Sequence, residues 1–325
     1  MSFPYQLVRL LADGRFHSGE ALGAALGMSR GGVWKALRGL DGTGLQLHPV
    51  RGKGYRLARP LELLDVPAIR AAMEPSTAHH LTCIEVHPEL ASTSDHLRSQ
   101  AQRGAPSGSV CIAEQQHAGR GRHGRVWISP FGANLYISLL WRFLLPPAAL
   151  GGLSLAVGVA LVGALRDVGV DSVELKWPND VVCGGRKLAG ILLDLAGESS
   201  GPCSAVIGVG VNVEMPAAAG ARIDQPWTDL MAVAGAPVSR NRLAGRVLHR
   251  LALTAERFAR EGFAPFLDEW REVDAAAGKT VDLLLPDRTV SGRAEGVDPD
   301  GALVLQIDGE RHRFVAGELR LRVRP

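Results

Sequence analysis

The sequence lacks paired cysteines. Its four cysteines lie far apart, and none stands in a C-x-x-C pair: Cys83, Cys111, Cys183 and Cys203. This spacing favours reduced, buried thiols in a cytosolic protein over a disulfide framework. His79 and His80 lie near Cys83, but neighbouring side chains on a strand point to opposite faces. We therefore expect the two histidines to be ordinary surface residues rather than metal ligands.

The sequence also lacks a secretory signal, because Arg9 interrupts the short apolar run near the N-terminus. One stretch, residues 148–165, carries no charge and is just long enough to raise the possibility of a membrane span. It consists mainly of Ala, Gly, Leu and Val, follows two prolines and has no aromatic belt, so we interpret it as a buried core helix. We therefore predict a cytoplasmic protein with no membrane partner.

The chain of 325 residues is long enough for two or three domains with a large core. Its formal net charge is only +3, but the charge is unevenly distributed. Residues 1–60 hold nine arginines and lysines against three acidic residues. This excess of positive charge predicts that the first segment binds a polyanion.

The first segment has the pattern of a helix-turn-helix followed by a wing. It predicts three short helices, the last of them basic, and then two strands around a basic RGKG turn: 4–12, 19–26, 30–40, 45–48 and 55–57. The side chains that we predict to contact DNA lie on the third helix and the wing: Ser29, Arg30, Lys35, Arg38, Arg51 and Lys53.

Two glycines in the predicted third helix limit this hypothesis. Gly31 and Gly32 each destabilise a helix interior by about 1 kcal/mol relative to alanine, and neither offers a side chain to a base edge. The charge favours duplex DNA as the ligand over a purely structural small domain. The strength and the sequence selectivity of DNA binding are left open.

Residues 119–127 read GRGRHGRVW and follow an apolar run at 110–113. They satisfy G-x-G-x-x-G, the glycine pattern of dinucleotide-binding folds, which requires a helix after the third glycine and an acidic residue about 20 positions later. Here a β-like segment ending in Pro130 follows, and no Asp or Glu occurs between Arg125 and Arg166. The dinucleotide fold is therefore excluded. Glycines allow close approach and arginines offer paired donors, so the pattern predicts a loop for an anionic ligand.

The rest of the chain alternates strands and helices. A mixed sheet is predicted from five strands at 81–86, 134–141, 173–177, 188–195 and 205–213. Two helices are predicted at 240–261 and 264–275. From residue 280 onward, short runs separated by turns predict a small β-barrel.

Three motifs resemble those of the biotin–protein ligases. They read QHAGRGRHGRVW at 116–127, KWPND at 176–180 and GRKLAGIL at 185–192. Together with the DNA-binding pattern, they make the chain similar over essentially its whole length to the bifunctional form, the ligase that is also the repressor of the biotin operon. The resemblance implies an α+β fold of three domains. These are a winged helix-turn-helix at 1–62, a catalytic domain with a class II synthetase-like mixed sheet and helices at 63–275, and a small SH3-like β-barrel at 276–325.

The resemblance also implies an ATP-dependent ligase. Such an enzyme forms biotinyl-5′-AMP from biotin and ATP with Mg²⁺, and then transfers biotin to a lysine of the biotin carboxyl carrier protein of acetyl-CoA carboxylase. Biotin is thus both the substrate and the precursor of a corepressor, since the adenylate-bound homodimer would bind operator DNA. Alternatives are a ligase with a vestigial DNA-binding domain, a lipoate-type ligase, and a non-catalytic transcription factor that senses a ligand.

The same resemblance assigns roles to site residues. Lys187 would bridge the biotin carboxylate and the α-phosphate, with Arg120 and Arg122 as further catalytic cations. The biotin-binding residues would be Ser92, Thr93, Ser94, Gln116, Arg120, Gly121, Arg122, Lys187 and Gly190. The ATP-binding residues would be Trp127, Lys176, Asn179, Asn212 and Arg122. Asp180 would help to hold Mg²⁺, and the nucleotide or the carrier would be reached by Glu318 and Arg322.

Ordinary structural roles compete with several of these assignments. Ser94 stands where the family has asparagine, so a contact to the ureido ring of biotin would be lost or routed through water, and Ser94 could instead cap a helix. Four residues could simply fill the core or turns: Trp127, Trp177, Asp180 and Asn212. Lys187 is harder to explain in this way, because a lysine directly before an apolar run is costly unless its charge is used.

Overall fold

The computed structural model describes residues 5–40 and 43–321, so the predicted contact of Arg322 lies outside the described residues. The N-terminal domain consists of three helices and a hairpin: α1 Tyr5–Leu11, α2 Gly19–Leu26, α3 Arg30–Arg38, β1 Leu47–Val50 and β2 Gly54–Leu57. Their apolar side chains form one small core. This is the predicted winged helix-turn-helix.

Serine side chains cap both helices of the helix-turn-helix. The Oγ atoms of Ser18 and Ser29 each accept a hydrogen bond from a backbone N–H three residues later, at 3.0 and 3.2 Å. The first wing strand begins two residues later than predicted. The reason is that the Leu45 N–H donates to Thr43 Oγ1 in the turn that follows α3, at 3.2 Å.

A seven-stranded mixed sheet forms the centre of the molecule. Its strands are β3 Cys83–His87, β4 Ser109–Ala113, β5 Leu135–Phe143, β6 Glu174–Lys176, β7 Asp180–Cys183, β8 Arg186–Gly197 and β9 Cys203–Val211. The strand order is β3-β4-β5-β9-β8-β7-β6, and only the β3–β4 pair is parallel. The helices of this region are α4 Val66–Ala71, α5 Thr93–Gln102, α6 Leu153–Arg166, α7 Ala217–Gly220, α8 Leu230–Ala234, α9 Arg240–Glu261 and α10 Leu267–Glu272.

The two faces of the sheet carry different residues, because side chains alternate along each strand. One face packs against α6 and α9 in a continuous apolar core. Helix α6 lies mostly buried there, as predicted, although residues 147–166 are long and apolar enough to cross a membrane. The other face is covered by α5 over a small apolar cluster, and next to it β5, β8 and β9 present serine and glycine. That second face holds the candidate site.

The segment predicted as one helix at 264–275 is shorter and divided in the structure. A 3₁₀ turn, Ala264–Phe266, precedes α10, which ends at Glu272. The chain leaves the helix because it pairs with β6 instead. The Leu175 N–H donates to the Val273 carbonyl at 2.6 Å, and the Ala275 N–H donates to the Leu175 carbonyl at 2.8 Å.

The C-terminal part forms a five-stranded antiparallel sheet, as expected for the SH3-like class. Its strands are β10 Thr280–Leu284, β11 Thr289–Val297, β12 Leu303–Ile307, β13 Glu310–Phe314 and β14 Glu318–Leu321. The strand order is β13-β12-β11-β10-β14. Through residue 321, the sheet is open between β13 and β14 rather than closed into a ring of hydrogen-bonded strands.

Two expectations about cysteine and histidine need correction. Cys111 and Cys203 are buried, but Cys83 is exposed because it lies on β3, an edge strand. His79 and His80 are not on a strand. They belong to the 3₁₀ helix Pro75–His80, where their ring centroids lie 4.0 Å apart.

Candidate functional site

A cavity of about 350 Å³ lies on the α5 face of the sheet, between the arginine-rich loop and strands β8 and β9. This volume suits a small-molecule ligand. The cavity wall includes all fourteen residues to which the sequence assigned biotin, ATP or magnesium: Ser92, Thr93, Ser94, Gln116, Arg120, Gly121, Arg122, Trp127, Lys176, Asn179, Asp180, Lys187, Gly190 and Asn212. Their joint placement is a property of the structure, and their individual roles stay predictions.

Hydroxyl groups cluster at the start of α5. Thr93 Oγ1 lies 2.8 Å and Ser94 Oγ lies 3.0 Å from Ser138 Oγ on β5. Gln116 Oε1 accepts hydrogen bonds from the backbone N–H and the hydroxyl of Thr93, at 2.9 and 3.1 Å. The helix cap is Ser92, whose Oγ accepts from the Asp95 N–H, so the alternative role of Ser94 as a cap is wrong.

Glycines in β8 and β9 make room for an indole ring. A Cβ atom on Gly210 would lie 2.6 Å from Trp127 Cε2, and one on Gly190 would lie 3.1 Å from Trp127 Cζ3. The Trp127 ring therefore rests on the glycine backbone of the sheet and faces the cavity, rather than filling the core. Trp177 does belong to the core, where its Nε1 donates to the Gly301 carbonyl at 3.1 Å.

The loop at 119–127 is a narrow hairpin. The Trp127 N–H donates to the Gly119 carbonyl at 2.9 Å, and the Gly121 N–H donates to the Arg125 carbonyl at 2.7 Å. At its tip His123 has a φ of 54°, in the left-handed region that residues other than glycine rarely adopt. No helix follows the third glycine, as the exclusion of the dinucleotide fold required.

Ion pairs connect this loop to the surrounding elements. Arg120 Nη2 lies 2.9 Å from Asp95 Oδ1 on α5 and 2.5 Å from Asp194 Oδ2 on β8. Arg125 forms two hydrogen bonds with the Glu318 carboxylate on β14, which raise the pKa of Arg125 above its ordinary value. The loop thus contacts α5, the central sheet and the C-terminal sheet at once.

Lys187 lies at a β-bulge in β8, where the pairing register with β7 shifts between Val181 and Val182. Its Nζ atom lies 2.7 Å from Asp180 Oδ1 and 5.5 Å from the centroid of the Trp127 ring. The Lys187 side chain is only 17% exposed. A largely buried ammonium group therefore faces the cavity beside an aromatic ring and a carboxylate.

Two further cations and the Asn179 amide line the cavity together with Lys187. Burial lowers the pKa of Arg122 and of Lys176, while Asp180 acts in the opposite direction on both. Arg122 Nη1 donates to Asn179 Oδ1 at 3.4 Å, and Asn179 Nδ2 donates to the Ile191 carbonyl at 2.7 Å. These contacts hold the amide in place beside the cationic groups.

Asn212 is buried at the end of β9. Its Nδ2 atom donates to the Thr228 carbonyl at 3.0 Å, so the side chain fixes the segment after α7 against the sheet. This segment completes the cavity wall with residues that no sequence motif indicated: Arg222, Ile223, Asp224, Gln225 and Trp227. Ser138 was missed as well, although a serine inside an otherwise apolar strand is a usable signal. Asp95 and Asp194 gave no local signal, because they meet Arg120 only in the folded chain.

The residues predicted to contact DNA are all exposed on the N-terminal domain. The α3 and wing side chains are exposed, and so is the cap Ser29: Arg30, Lys35, Arg38, Arg51 and Lys53. Trp34, which the sequence reasoning overlooked, is 53% exposed on α3, and the Arg38 guanidinium carbon lies 4.7 Å from the centroid of its ring. A Cβ atom on Gly31 would meet no heavy atom within 4 Å, so this glycine faces open space.

Comparison with known proteins agrees with this architecture. Residues 88–212 match the biotin/lipoate A/B protein ligase family, residues 277–322 match the biotin protein ligase C terminal domain, and residues 5–56 match an HTH domain. The chain is 41% identical to the bifunctional ligase/repressor BirA of Salmonella typhimurium, over 98% of this chain and 97% of that protein. It is 35% identical to the biotin--[acetyl-CoA-carboxylase] ligase of Mycobacterium tuberculosis, over 73% and 88% of the two chains.

Among solved structures, the chain is similar to the biotin protein ligase from Aquifex aeolicus in complex with biotin and ATP. The TM-score is 0.63 at 25% sequence identity, and the match covers 74% of this chain and 99% of that one. The three family matches follow the order of the domains, and the Salmonella protein matches along nearly its whole length. The chain therefore belongs to the family of bifunctional biotin–protein ligases and repressors.

Proposed function

We propose that this protein joins biotin to a lysine of a carrier protein at the expense of ATP, through biotinyl-5′-AMP. The observation that carries the proposal is the position of Lys187, a largely buried ammonium group facing a cavity lined by arginines. Biotin carboxylate and ATP are both anions, so their meeting point needs positive charge. Six of the lysines and arginines line the cavity against three carboxylates, which gives it that charge.

Biotin suits the cavity better than lipoate does. The end of the cavity at α5 carries the hydroxyl groups of Ser92, Thr93, Ser94 and Ser138, together with Gln116. The ureido ring of biotin needs hydrogen-bond donors and acceptors, which hydroxyl and amide groups supply. The dithiolane ring of lipoate has no N–H or carbonyl group that could form hydrogen bonds with them. A binding assay with both acids distinguishes the two substrates.

In the first step a biotin carboxylate oxygen attacks the α-phosphorus of ATP. The bond from that phosphorus to the bridging oxygen of the β-phosphate breaks, and pyrophosphate leaves. Lys187 would contact both the carboxylate and the α-phosphate, with Arg120 and Arg122 alongside. Such fixed donors are most effective in a site from which water is largely excluded.

The nucleotide would lie over the glycines of β8 and β9. Trp127 would pack beside the adenine, and Lys176, Asn179 and Asn212 would complete its contacts. The carboxylates of Asp180 and Asp224 line the cavity. They fit Mg²⁺, which in nucleotide sites commonly uses one or two carboxylates together with substrate phosphates. A magnesium ion held by Asp180 would neutralise part of the triphosphate charge.

In the second step the ε-amine of a carrier lysine attacks the acyl carbon of the adenylate. AMP leaves, the amine loses a proton and an amide bond forms. The loop at 119–127 would cover the adenylate until the carrier arrives, which protects a mixed anhydride from water. The partner we propose is the biotin carboxyl carrier protein of acetyl-CoA carboxylase, and the compartment is the cytoplasm, where that carrier and ATP meet.

Mass spectrometry of a biotin-acceptor fragment tests the enzymatic proposal. The fragment is incubated with the protein, biotin and MgATP, and one lysine should gain the mass of a biotinyl group. The control omits ATP. If the fragment stays unmodified and the protein catalyses no ATP–pyrophosphate exchange, the protein would instead be a non-catalytic ligand sensor.

The N-terminal domain is proposed to bind operator DNA and to repress biotin synthesis genes. Its exposed side chains on α3 and the wing are basic, and Trp34 and Arg38 add a stacked pair on the same helix. A fluorescence titration of duplex DNA at several salt concentrations tests this, because phosphate contacts weaken as salt rises. Absence of salt-dependent binding with biotin and ATP present would favour a ligase with a vestigial DNA-binding domain.

Repression is proposed to require an adenylate-bound homodimer. Within the described residues, β7 pairs with β8 only up to Gly190, which leaves residues 192–197 as a sheet edge. Arg120, in the loop at 119–127, contacts Asp194 on that edge. Adenylate binding would shift the loop and hence the edge, and a two-fold dimer would match a palindromic operator. Sedimentation with and without biotin and ATP measures the coupling, and an unchanged sedimentation coefficient would contradict it.

A further inference from the structure

A second group of side chains capable of binding a ligand lies on β3, β4 and α5. Glu85 and Cys111 are direct neighbours in the parallel β3–β4 pair, so their side chains lie on the same face of the sheet. His87 follows Glu85 by two residues on the same strand. His96 comes from the first turns of α5, which covers this face. Three elements thus bring together two imidazoles, a thiol and a carboxylate.

The distances in this group are close to those of a coordination sphere. The Nε2 atoms of His87 and His96 lie 3.2 and 3.3 Å from the same oxygen, Glu85 Oε2. A ligand atom of each histidine and the Cys111 sulfur all lie within 4.8 Å of one another. Bond lengths of about 2.0–2.3 Å to a tetrahedral zinc ion separate its ligand atoms by roughly 3.3–3.8 Å. The distances from Glu85 Oε2 to the two histidine nitrogens already match this separation, and the Cys111 sulfur lies within 4.8 Å of a ligand atom of each histidine.

The burial of these residues also suits a metal ion. Cys111 is fully buried, the two histidines are half-buried, and Glu85 is open to solvent. An ion at this site would face solvent on the Glu85 side and the buried Cys111 sulfur on its inner side. We propose that Glu85, His87, His96 and Cys111 form a binding site for one divalent transition-metal ion of the zinc class, separate from the cavity that holds Lys187.

Binding of this ion balances in charge and protons. The Cys111 thiol loses its proton to solvent as the sulfur–metal bond forms, and thiolate and carboxylate together neutralise the dication. The two imidazoles bind as neutral ligands. The ion would join β3 and β4 to α5, the helix that begins beside Ser92.

Cobalt(II) is the probe, because a thiolate bound to tetrahedral cobalt gives a sulfur-to-metal absorption band. Reduced full-length protein is treated with a chelator, desalted and titrated with Co²⁺. We expect one equivalent of cobalt to produce the band and zinc to abolish it by displacement. Thermal unfolding of the same protein should shift to higher temperature with Zn²⁺.

Variants identify the ligands. His96→Ala and His87→Ala are partly exposed positions that should fold and should each lose most of the band, and Cys111→Ser should lose it completely. The matched controls are Cys83→Ser, the exposed thiol on β3, the strand that holds Glu85 and His87, and His79→Ala, an exposed histidine in the 3₁₀ helix Pro75–His80. Both controls should retain the full band.

Three results would overturn the proposal. They are no band in the parent protein, a full band in both histidine variants, or loss of the band in Cys83→Ser. If Cys111→Ser does not fold, the two histidine variants still decide the outcome. Biotinylation of an acceptor fragment by the parent protein is measured separately, so failure of the metal site and failure of the ligase proposal can be told apart.

Discussion

The Phe131 ring meets the Tyr5 ring edge-on, with their centroids 6.5 Å apart and their planes at 70°. Tyr5 is the first residue of α1 in the N-terminal domain, whereas Phe131 lies four residues after the loop at 119–127. Phe131 is buried within the core of the N-terminal domain. Phe131, which follows the loop at 119–127, thus forms part of the core of the N-terminal domain. This packing physically connects the loop to that domain.

Replacing Phe131 should loosen the N-terminal domain. Phe131→Ala removes a buried aromatic side chain, a change that destabilises by about 3 kcal/mol or more. We expect faster amide hydrogen exchange in α1 and α2 and weaker DNA binding. The control for hydrogen exchange is Phe16→Ala, which removes a partly exposed ring from the same domain. Equal exchange rates in α1 for Phe131→Ala and the parent protein would show that the packing is unimportant.

Lys187→Ala should reduce the rate of adenylate formation by roughly 10²–10³, the effect of losing one donor that stabilises the transition state. Pyrophosphate release from biotin and MgATP measures it directly. Lys279→Ala serves as the control, because the Lys279 Nζ atom donates to the Ala275 carbonyl, at 2.8 Å, and does not line the cavity. If pyrophosphate release by Lys187→Ala is unchanged, the assigned role of this lysine is wrong.

Gly210→Ala should raise the KM for ATP, because it displaces the Trp127 ring that we propose packs beside the adenine. The new Cβ would lie 2.6 Å from the indole ring, so the ring must move off the sheet. Loss of an aromatic contact of about 1 kcal/mol predicts a rise of several-fold to tenfold in the KM for ATP. Gly201→Ala is the control, since its Cβ would meet only Glu198 at 3.6 Å. Steady-state kinetics at varied ATP concentration provide the test, and an unaltered KM would contradict the proposed position of the nucleotide.

Two glycines of the N-terminal domain should respond to alanine in opposite directions. Gly31→Ala adds a methyl group in open space on α3 and should stabilise the domain by about 1 kcal/mol, because alanine favours helix. Gly23→Ala on α2 should destabilise it, since its Cβ would lie 2.7 Å from the Met28 carbonyl oxygen. Thermal unfolding of the full chain compares the two, and the same sign for both would refute the argument.

Asp274 should make stability depend on pH. Burial raises the pKa of Asp274 to about 6 from an ordinary 3.8, so the folded protein holds this proton more tightly than the unfolded chain. The proton bound to Asp274 therefore stabilises the folded protein fully below pH 4, and this stabilisation is lost as the pH rises through 6. The change amounts to about 3 kcal/mol at most.

Asp274→Asn removes this titration. The stability of the variant relative to the parent should therefore increase by about 1–3 kcal/mol between pH 4.5 and 7.5, whatever the constant offset between them. Urea unfolding at each pH measures the difference. Asp268→Asn is the control, because that side chain is 94% exposed. A flat difference for Asp274→Asn would show that the carboxylate is not ionising in this range.

The sequence alone was sufficient for the local features of this protein. Serines before the α2 and α3 helices predicted their starts, since a cap depends on residues three apart. The uncharged apolar stretch predicted α6, and alternation of side chains predicted the strand at 134–141, because both patterns reflect which residues are buried. The three ligase motifs also contain ten of the fourteen predicted site residues that line one cavity. Their spacing is local, so a motif preserves it.

Only the tertiary structure decided which distant residues meet. Arg120 has two carboxylate partners, Asp95 and Asp194, that stand 25 residues before and 74 residues after it and carry no shared pattern. The helix predicted to reach residue 275 ends early because Val273 and Ala275 pair with a strand nearly 100 residues earlier. Phe131 packs into the core of the N-terminal domain, which is likewise a contact between residues far apart in the chain. Such contacts depend on packing between elements far apart in the chain, so local sequence propensities do not predict them.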